Sequence, residues 1–320
     1  MNIAFRVDGN KRLGLGHVKR CMVLAKKIQK KNINCFFITQ FEETSNLLQD
    51  NKFQSFLIKQ KNEFNEINKI LKNNQCTKLV IDSKRKSILK ILKNKNLKII
   101  LIDNLNYSKK VKLVVISSVK NTKKIYPKNC IVGKQFVLHG IEKTHKPIPT
   151  KSNQILISMG GSDKYNITEK IIKAFSKNSQ DFQMKIVVGK FFDENQKIIK
   201  IINNDKRLQI VKNPSSLVSL MQQSSIGITT FGVTTYEAAI CKLPLITIAH
   251  SNENDHSAKL VEELGWIKHF GKYDDIDYKD LVQNTIKLMR NKKELSKMKK
   301  SCLQIDGLGP SRVAKQIIDL

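Results

Sequence analysis

The residues with the clearest chemical potential lie near the start of the chain, where a histidine follows a glycine-containing loop. An apolar strand over 3–7 leads into this loop, and Gly14 and Gly16 precede His17 at the start of a helix. Glycines let the backbone approach a ligand closely, and a helix N-terminus presents N–H groups to an anion. The helix dipole favours a neutral imidazole, which can take a proton from water. We predict chemistry on a phosphorylated substrate at His17; the alternative is that His17 only orients the loop.

Two charged residues of the same loop are further candidates for substrate binding. Asp8 ends the strand, and Arg12 lies midway to the histidine. Each has a structural alternative, because Asp8 can cap the loop and Arg12 can be a solvated surface charge.

A second glycine motif follows a strand over 154–159, and a helix containing Thr168 comes after it. Paired backbone amides at Gly160 and Gly161, with the Ser162 hydroxyl, suit a diphosphate. The motif lacks the lysine of a Walker A loop and the third glycine of a dinucleotide fingerprint. We predict diphosphate binding here; the alternative is a tight strand-to-helix turn.

A third motif joins a strand ending in threonine hydroxyls to a helix, with Gly232 at the junction. Thr234 is predicted to cap the helix, and Glu237 has the spacing that completes a capping box. The functional alternative is that Glu237 accepts hydrogen bonds from the two hydroxyls of a ribose.

A fourth, polar cluster spans 250–256 and follows a strand over 245–248. It contains Asn252 and Glu253, whose amide and carboxylate groups suit sugar hydroxyls. It also contains two histidines, but no second cluster completes a metal shell. We therefore predict a sugar-recognition loop and expect neither a metal nor another cofactor.

These motifs lie in a chain that alternates strand and helix almost throughout, which predicts an α/β protein with parallel sheets. A polar, proline-containing stretch over 143–153 is the predicted boundary. We expect a GT-B-like architecture of two doubly wound Rossmann-like domains facing a central cleft. The N-terminal domain, 1–147, carries the histidine loop, and the C-terminal domain, 148–320, carries the nucleotide-sugar site and a helical tail.

Composition narrows the class of protein. The formal net charge of +31 is due mainly to lysines that are spread along the chain, while arginine is scarce. We therefore expect a solvated basic surface and no nucleic-acid partner, with weak attraction to an anionic membrane surface left open. The six cysteines form no C-x-x-C pair and no apolar run reaches the length of a membrane span, so we expect a cytoplasmic protein. The oligomeric state stays open.

Taken in order, the motifs resemble those of the pseudaminic-acid-pathway nucleotide-sugar hydrolases. This family hydrolyses UDP-2,4-diacetamido-2,4,6-trideoxy-β-L-altropyranose, includes spore-coat polysaccharide proteins, and is similar to the GT-B glycosyltransferase that makes lipid II. The resemblance spans almost the whole chain and is most specific at His17. The chain departs from the family pattern after Asp82, where the run Ser83-Lys84-Arg85 lacks the family's tyrosine.

The resemblance implies a role for each motif. His17 would activate water at the anomeric carbon of a UDP-sugar, and Gly14 and Gly16 would shape the loop near the sugar. Gly160, Gly161 and Ser162 would meet the diphosphate, Glu237 would bind the ribose, and Asn252 would contact the sugar or its phosphate. Beside them, Thr234 and Glu253 are further candidates for substrate binding. The family works without a metal.

Three other functions remain open from the sequence. A GT-B glycosyltransferase would use the same histidine to deprotonate an acceptor hydroxyl, and an apolar, basic-rimmed patch on the N-terminal domain would favour it. Loss of His17 or Glu237 would have favoured a non-catalytic nucleotide-sugar sensor, and both residues are present. A nucleic-acid binder would show salt-dependent binding to random duplex DNA.

Overall fold

The computed structural model describes residues 1–83, 85, 88–92, 94, 96–121, 123–141, 153–161, 163–189, 192 and 196–320. The described chain divides into two compact units. Unit 1 comprises Met1–Gly140 together with Gly307–Leu320, and unit 2 comprises Ile141–Asp306. The predicted boundary at 147 and 148 lies outside the described residues.

Unit 1 is built on a parallel sheet of seven strands in the order β3-β2-β1-β4-β5-β6-β7. Its strands are apolar because helices and loops cover a parallel sheet on both faces. The strands are β1 Asn2–Val7, β2 Asn34–Thr39, β3 Gln54–Leu57, β4 Cys76–Asp82, β5 Lys98–Ile102, β6 Leu113–Ile116 and β7 Cys130–Val132. The α-helices are α1 Gly16–Gln29, α2 Glu42–Asp50, α3 Glu63–Asn73, α4 Ile88–Ile91 and the C-terminal α12 Gly309–Asp319.

Unit 2 repeats this architecture with a parallel sheet of six strands in the order β10-β9-β8-β11-β12-β13. The strands are β8 Gln154–Ser158, β9 Gln183–Val188, β10 Leu208–Lys212, β11 Ile226–Thr230, β12 Leu245–Ala249 and β13 Ile267–Lys272. The helices are α5 Ile167–Ser176, α6 Gln196–Asn203, α7 Val218–Gln223, α8 Val233–Ile240, α9 Asn252–Glu262, α10 Tyr278–Arg290 and α11 Lys292–Cys302. The predicted α/β class and the two doubly wound sheets are therefore confirmed.

The sequence predicts a helical tail that belongs wholly to the C-terminal domain. The tail consists of the helices α10, α11 and α12, and the last of them lies in unit 1. The apolar face of α12, with Val313, Ala314 and Ile317, is buried in the core of unit 1. The Lys78 ammonium on β4 donates to the carbonyls of Ile317 and Ile318 at 2.9 and 2.7 Å, which caps the helix C-terminus. Burial of this apolar face stabilises the return of the chain to unit 1.

No helix in the described part of the chain is long and apolar enough to span a membrane.

Candidate functional site

The histidine loop lies at the topological switch point of unit 1. Strand β2 lies on one side of β1 and strand β4 on the other, so the loops after β1 and β4 leave the same edge of the sheet in opposite directions. Val7 at the end of β1 is in register with Asp82 at the end of β4. This register brings the β1–α1 loop beside Asp82, at the edge where open α/β sheets bind ligands.

The β1–α1 loop is a built turn that Asn10 closes. The Asn10 side-chain oxygen accepts the N–H groups of Arg12 and Leu13 at 3.0 and 2.9 Å, and its carbonyl accepts the N–H of Gly14 at 2.8 Å. Gly14 has φ +73°, a left-handed conformation that favours glycine. The turn ends as α1 begins at Gly16, so His17 lies in the first helical turn as predicted.

His17 forms a pair with Asp82, which the sequence analysis had placed only at a strand end. The distance from His17 Nδ1 to Asp82 Oδ1 is 2.8 Å, and the side chain of His17 is 46% exposed whereas that of Asp82 is 2% exposed. Burial raises the pKa of Asp82, but the charge of Arg20 outweighs it and holds that pKa well below its usual range. Two groups lie at Nδ1: Asp82 Oδ1, part of an ionised carboxylate that only accepts, and Arg20 Nη2, a donor at 3.0 Å. The contact with Asp82 is the shorter one, and it favours the proton on Nδ1 and a lone pair on Nε2.

Arg20, one turn after His17 on α1, fixes the Asp82 carboxylate. Its Nε and Nη2 donate to the two oxygens of Asp82, each at 2.7 Å, and its Nη1 donates to Asp103 Oδ2 at 2.7 Å. The Arg20 side chain is 4% exposed. Asp103 follows β5 with φ +52°, and its other oxygen accepts the N–H of Ser117 at 2.7 Å. The buried Arg20 lies between the carboxylates of Asp82 and Asp103, and this arrangement restricts the movement of Asp82, the partner of His17.

Asp8 lies in the same unit but is largely engaged by the scaffold. Its Oδ1 accepts from Arg6 Nη1 at 2.6 Å, from the Thr39 hydroxyl at 3.1 Å and from the Gln40 N–H at 2.9 Å. Its Oδ2 accepts no hydrogen bond among the described residues and lies 3.4 Å from Arg85 Nη1. Asp8 is 5% exposed. These contacts tie Asp8 to Arg6 and to the end of β2 and not to its own loop, so the predicted loop cap is not formed, and only Oδ2 is left to receive a ligand.

The remaining candidates of the first loop are exposed or close to the surface. Arg12 and Gly16 are exposed, and Gly14 is half-buried. An added Cβ at Gly14 would meet no atom within 4 Å, whereas one at Gly9 would lie 2.8 Å from Val18 Cγ2. Close packing within the protein therefore requires glycine at Gly9, whereas Gly14 supplies the turn.

Unit 2 has its own switch point, between β8 and β11, where Ser158 is in register with Thr229. Gly160 follows β8 with φ +87°, and an added Cβ there would lie 3.9 Å from the Thr230 hydroxyl. The N–H groups of Gly160 and Gly161 have no partner among the described residues, which leaves them available to an anion. Ser162 lies outside the described residues.

The Gly160–Gly161 turn rests on a third glycine that the sequence analysis did not single out. A Cβ at Gly189, just after β9, would lie 2.6 Å from both Cα and O of Gly161. Asp163 then ends the turn with φ +40°, and its carboxylate accepts the N–H groups of Ile167 and Thr168 at 2.9 and 2.8 Å. These two amides at the start of α5 are therefore occupied. A phosphate would have to bind the amides of the Gly160–Gly161 turn instead.

The helix after β11 begins earlier than predicted. Gly232, not Thr234, is the N-cap of α8, and its N–H donates to the Thr235 hydroxyl at 3.2 Å. The prediction of a capping box between Thr234 and Glu237 is therefore wrong, because the threonine beside Thr234 already reaches back to the cap. Glu237 lies half-buried on the second turn of α8 and has no capping role.

The polar cluster after β12 opens helix α9. Ser251 caps it by accepting the Asn254 N–H at 3.2 Å, and Asn252 and Glu253 are exposed in the first turn. Asp255 turns away to His269 Nε2, at 2.8 Å, and to Lys259. Within the described ranges no group of three or more His, Cys, Asp or Glu side chains is placed to hold a metal.

The structure thus assembles one charged group of side chains that sequence spacing did not predict. Asp82 and Asp103 end neighbouring strands of a sheet, and Arg20 lies one helical turn beyond His17. The only sequence signal was an aspartate at the end of each of two apolar strands. Which of these side chains meet depends on strand order, and strand order is set by tertiary packing.

Comparison with known proteins shows the fold and leaves the family open. No protein-family model matches the chain. It is 28% identical over 276 residues to an uncharacterized protein of Methanocaldococcus jannaschii, covering 79% of this chain and 56% of that protein. The chain therefore spans little more than half the length of this relative.

Solved structures match over nearly the full chain. MurG of Acinetobacter baumannii gives a TM-score of 0.72 at 13% identity, covering 100% of this chain and 99% of that one. The calicheamicin glycosyltransferase CalG4 gives 0.69 at 11%, covering 99% and 97%. A UDP-N-acetylglucosamine 2-epimerase from Listeria monocytogenes, so named provisionally, gives 0.69 at 12%, covering 99% and 95%. The chain has the GT-B fold.

Proposed function

We propose that the protein hydrolyses a UDP-activated diacetamido-trideoxy sugar to the free sugar and UDP, a step that supplies nonulosonic (pseudaminic-type) acid synthesis. The observation that carries the proposal is the His17–Asp82 pair, with Nδ1 bound to an ionised carboxylate and Nε2 free in a half-exposed ring. A base of this kind suits the attack of water on an anomeric carbon.

The reaction uses this geometry in one displacement. His17 Nε2 takes a proton from water as the water oxygen bonds to the anomeric carbon. The bond from that carbon to the diphosphate oxygen breaks, and UDP leaves with the electron pair. The imidazolium that forms is stabilised by Asp82, which Arg20 holds in place.

Unit 2 supplies the groups that suit the nucleotide. The unpartnered amides of Gly160 and Gly161 bind the diphosphate and stabilise the charge that develops on it. Glu237, which the helix cap does not use, binds the ribose with support from Thr234. Asn252 and Glu253, exposed at the start of α9, contact the sugar. The name of the Listeria structure includes an acetamido-sugar nucleotide, which is consistent with this class of substrate.

A second candidate function is transfer of the sugar to an acceptor hydroxyl by a GT-B glycosyltransferase. Leu13 favours it, because this large apolar side chain is 48% exposed in the loop that carries His17, next to the exposed Lys11 and Arg12. An exposed apolar residue rimmed by basic ones suits an amphipathic acceptor. His17 would then deprotonate the acceptor in place of water.

The experiment that tests the proposal measures UDP release from a panel of UDP-sugars without an acceptor, with the sugar followed by NMR. We expect UDP and free sugar from a diacetamido-trideoxy substrate, and loss of both in a His17→Ala variant. UDP release that requires an added acceptor would show that the protein transfers the sugar and does not hydrolyse the substrate. A new epimer without UDP release would contradict both functions.

A further inference from the structure

A lysine-rich segment of unit 1 contains strands β6 and β7 and the connection between them. Between Asp103 and Glu142 the sequence contains no acidic residue. The same stretch contains eight lysines, namely Lys109, Lys110, Lys112, Lys120, Lys123, Lys124, Lys128 and Lys134. This segment therefore concentrates positive charge that no nearby carboxylate in the sequence offsets.

The β6–β7 connection presents an apolar residue among these lysines. We refer to Asn121 and Lys123–Lys128 as the basic tip. Ile125 in the tip is 95% exposed. Among the large apolar side chains that the structure describes, the next most exposed is Leu303, at 62%. Lys123, Lys124 and Lys128 are exposed around it. A nearly fully exposed isoleucine gains free energy only when something apolar covers it.

The basic tip has a defined conformation. The Asn121 side-chain oxygen accepts the Lys123 N–H at 2.9 Å, and its carbonyl accepts the Lys124 N–H at 3.1 Å. The Asn121 N–H in turn donates to the Tyr126 hydroxyl at 3.2 Å. These bonds join Asn121 to residues on both sides of Ile125, whose side chain is exposed.

A second basic segment lies beside the stem of the tip. The Asn129 side-chain amide donates to the carbonyls of Ser108 and Val111, both at 2.9 Å. These bonds bring the exposed Lys109, Lys110 and Lys112 to the same part of unit 1 as the basic tip. The surface therefore combines one apolar tip with two groups of lysines.

We infer that this surface docks the protein on an anionic lipid bilayer, with Ile125 in the acyl boundary and the lysines over the headgroups. Lysines attract a negative membrane surface at about 1 kcal/mol each, and an apolar side chain adds partitioning into the interface. A polynucleotide would bind the lysine charges but would make no use of the exposed apolar side chain of Ile125. The segment from Asp103 to Glu142 contains no arginine, whose planar guanidinium would add cation–π contacts to bases.

The test is sedimentation of the full-length protein with vesicles of phosphatidylglycerol and phosphatidylcholine, against vesicles of phosphatidylcholine alone. We expect binding to the anionic vesicles only, and weaker binding at high salt. Lys123→Gln with Lys124→Gln is expected to lower the partition coefficient on the order of 30-fold, the effect of two lysine charges. Ile125→Ser is expected to lower it about 10-fold.

Matched variants separate this surface from general basicity. Lys30→Gln with Lys31→Gln removes the same charge from another exposed part of unit 1, and Leu57→Ser removes an apolar side chain that is 50% exposed elsewhere in that unit. Both are expected to bind vesicles like the wild type. Equal losses in both lysine pairs, or full binding by Ile125→Ser together with tight binding to duplex DNA, would overturn the inference. It does not depend on the proposed reaction, since binding is measured without substrate.

Discussion

The two units have the same doubly wound sheet, but their switch points differ in chemistry. In unit 1 the strand ends carry Asp82 and Asp103 around the buried Arg20, with His17 beside them. In unit 2 the corresponding edge carries Gly160 and Gly161, whose amides have no partner among the described residues. Under the proposed function, the first arrangement would hold and move a proton and the second would receive a negative charge. The same architecture would then supply a base in one unit and an anion site in the other.

Replacing His17 should give the largest loss of activity, and it tests the role that the comparison gives to unit 1. A His17→Gln variant is expected to lose on the order of 10²–10⁴-fold in kcat, the usual contribution of a general base. Its melting temperature should stay close to that of the wild type, because the side chain is half-exposed. Parallel kinetic and calorimetric measurements check this. Unchanged kcat would exclude His17 as the base.

Removing the carboxylate of Asp82 should affect both stability and activity. Asp82→Asn leaves the buried Arg20 with Asp103 as its only carboxylate, and breaking a buried pair costs about 3–5 kcal/mol of unfolding free energy. Asp103→Asn is the matched control with a smaller loss, because the Asp103 side chain is 28% exposed. Denaturant unfolding of the two variants gives the comparison; equal losses would contradict the ranking.

The pH dependence of stability follows from the same carboxylate. Folding lowers the pKa of Asp82, so its contribution is present above the unfolded pKa of about 4 and is lost as pH falls below that value. We expect the difference in unfolding free energy between wild type and Asp82→Asn to shrink between about pH 4 and pH 2. If this difference in unfolding free energy did not vary with pH over that range, the ionised Asp82 carboxylate would not be its source.

In unit 2 a pair of glycine variants separates support of the turn from binding by the turn. Gly189→Ala places a Cβ 2.6 Å from the Gly161 backbone and should cost about 1–3 kcal/mol of unfolding free energy. Gly161→Ala meets no atom within 4 Å and should fold like the wild type while binding UDP more weakly. Thermal unfolding and UDP calorimetry test this. Normal UDP affinity in Gly161→Ala would remove the anion site from this turn.

The smallest expected effect concerns the cap of α5. Asp163→Ala frees the N–H groups of Ile167 and Thr168 and should lower the unfolding free energy by about 1 kcal/mol. Asp163→Asn, which can still accept hydrogen bonds, should lose less. A loss of UDP affinity larger than this loss of stability would instead place Asp163 in ligand binding.

The sequence was sufficient to predict the alternating elements, because apolar strands and turn residues are local signals. It also placed His17 at the start of α1. It did not predict the capping of α8, where Gly232 and the hydroxyl of Thr235 replaced the expected pair, since several residues of that run can cap. Nor did it predict that α12 packs in unit 1, because an amphipathic helix does not specify which core buries it.

The partners of His17 lay beyond local signals for a different reason. Asp82 and Asp103 end strands that sequence periodicity identifies, but only the strand order β1-β4-β5 brings both of them to Arg20. These residues are also far apart along the chain, so no short sequence motif contains them together.

The central claim is that Asp82 holds His17 with the proton on Nδ1 and Nε2 free, and ¹⁵N NMR of the histidine side chains measures it most directly. The spectrum is recorded above about pH 8, where an ordinary imidazole is neutral, and His17→Gln assigns the signals. We predict the Nδ1–H tautomer for His17, with loss of that preference in Asp82→Asn. A wild-type His17 that carries its proton on Nε2 would contradict the account.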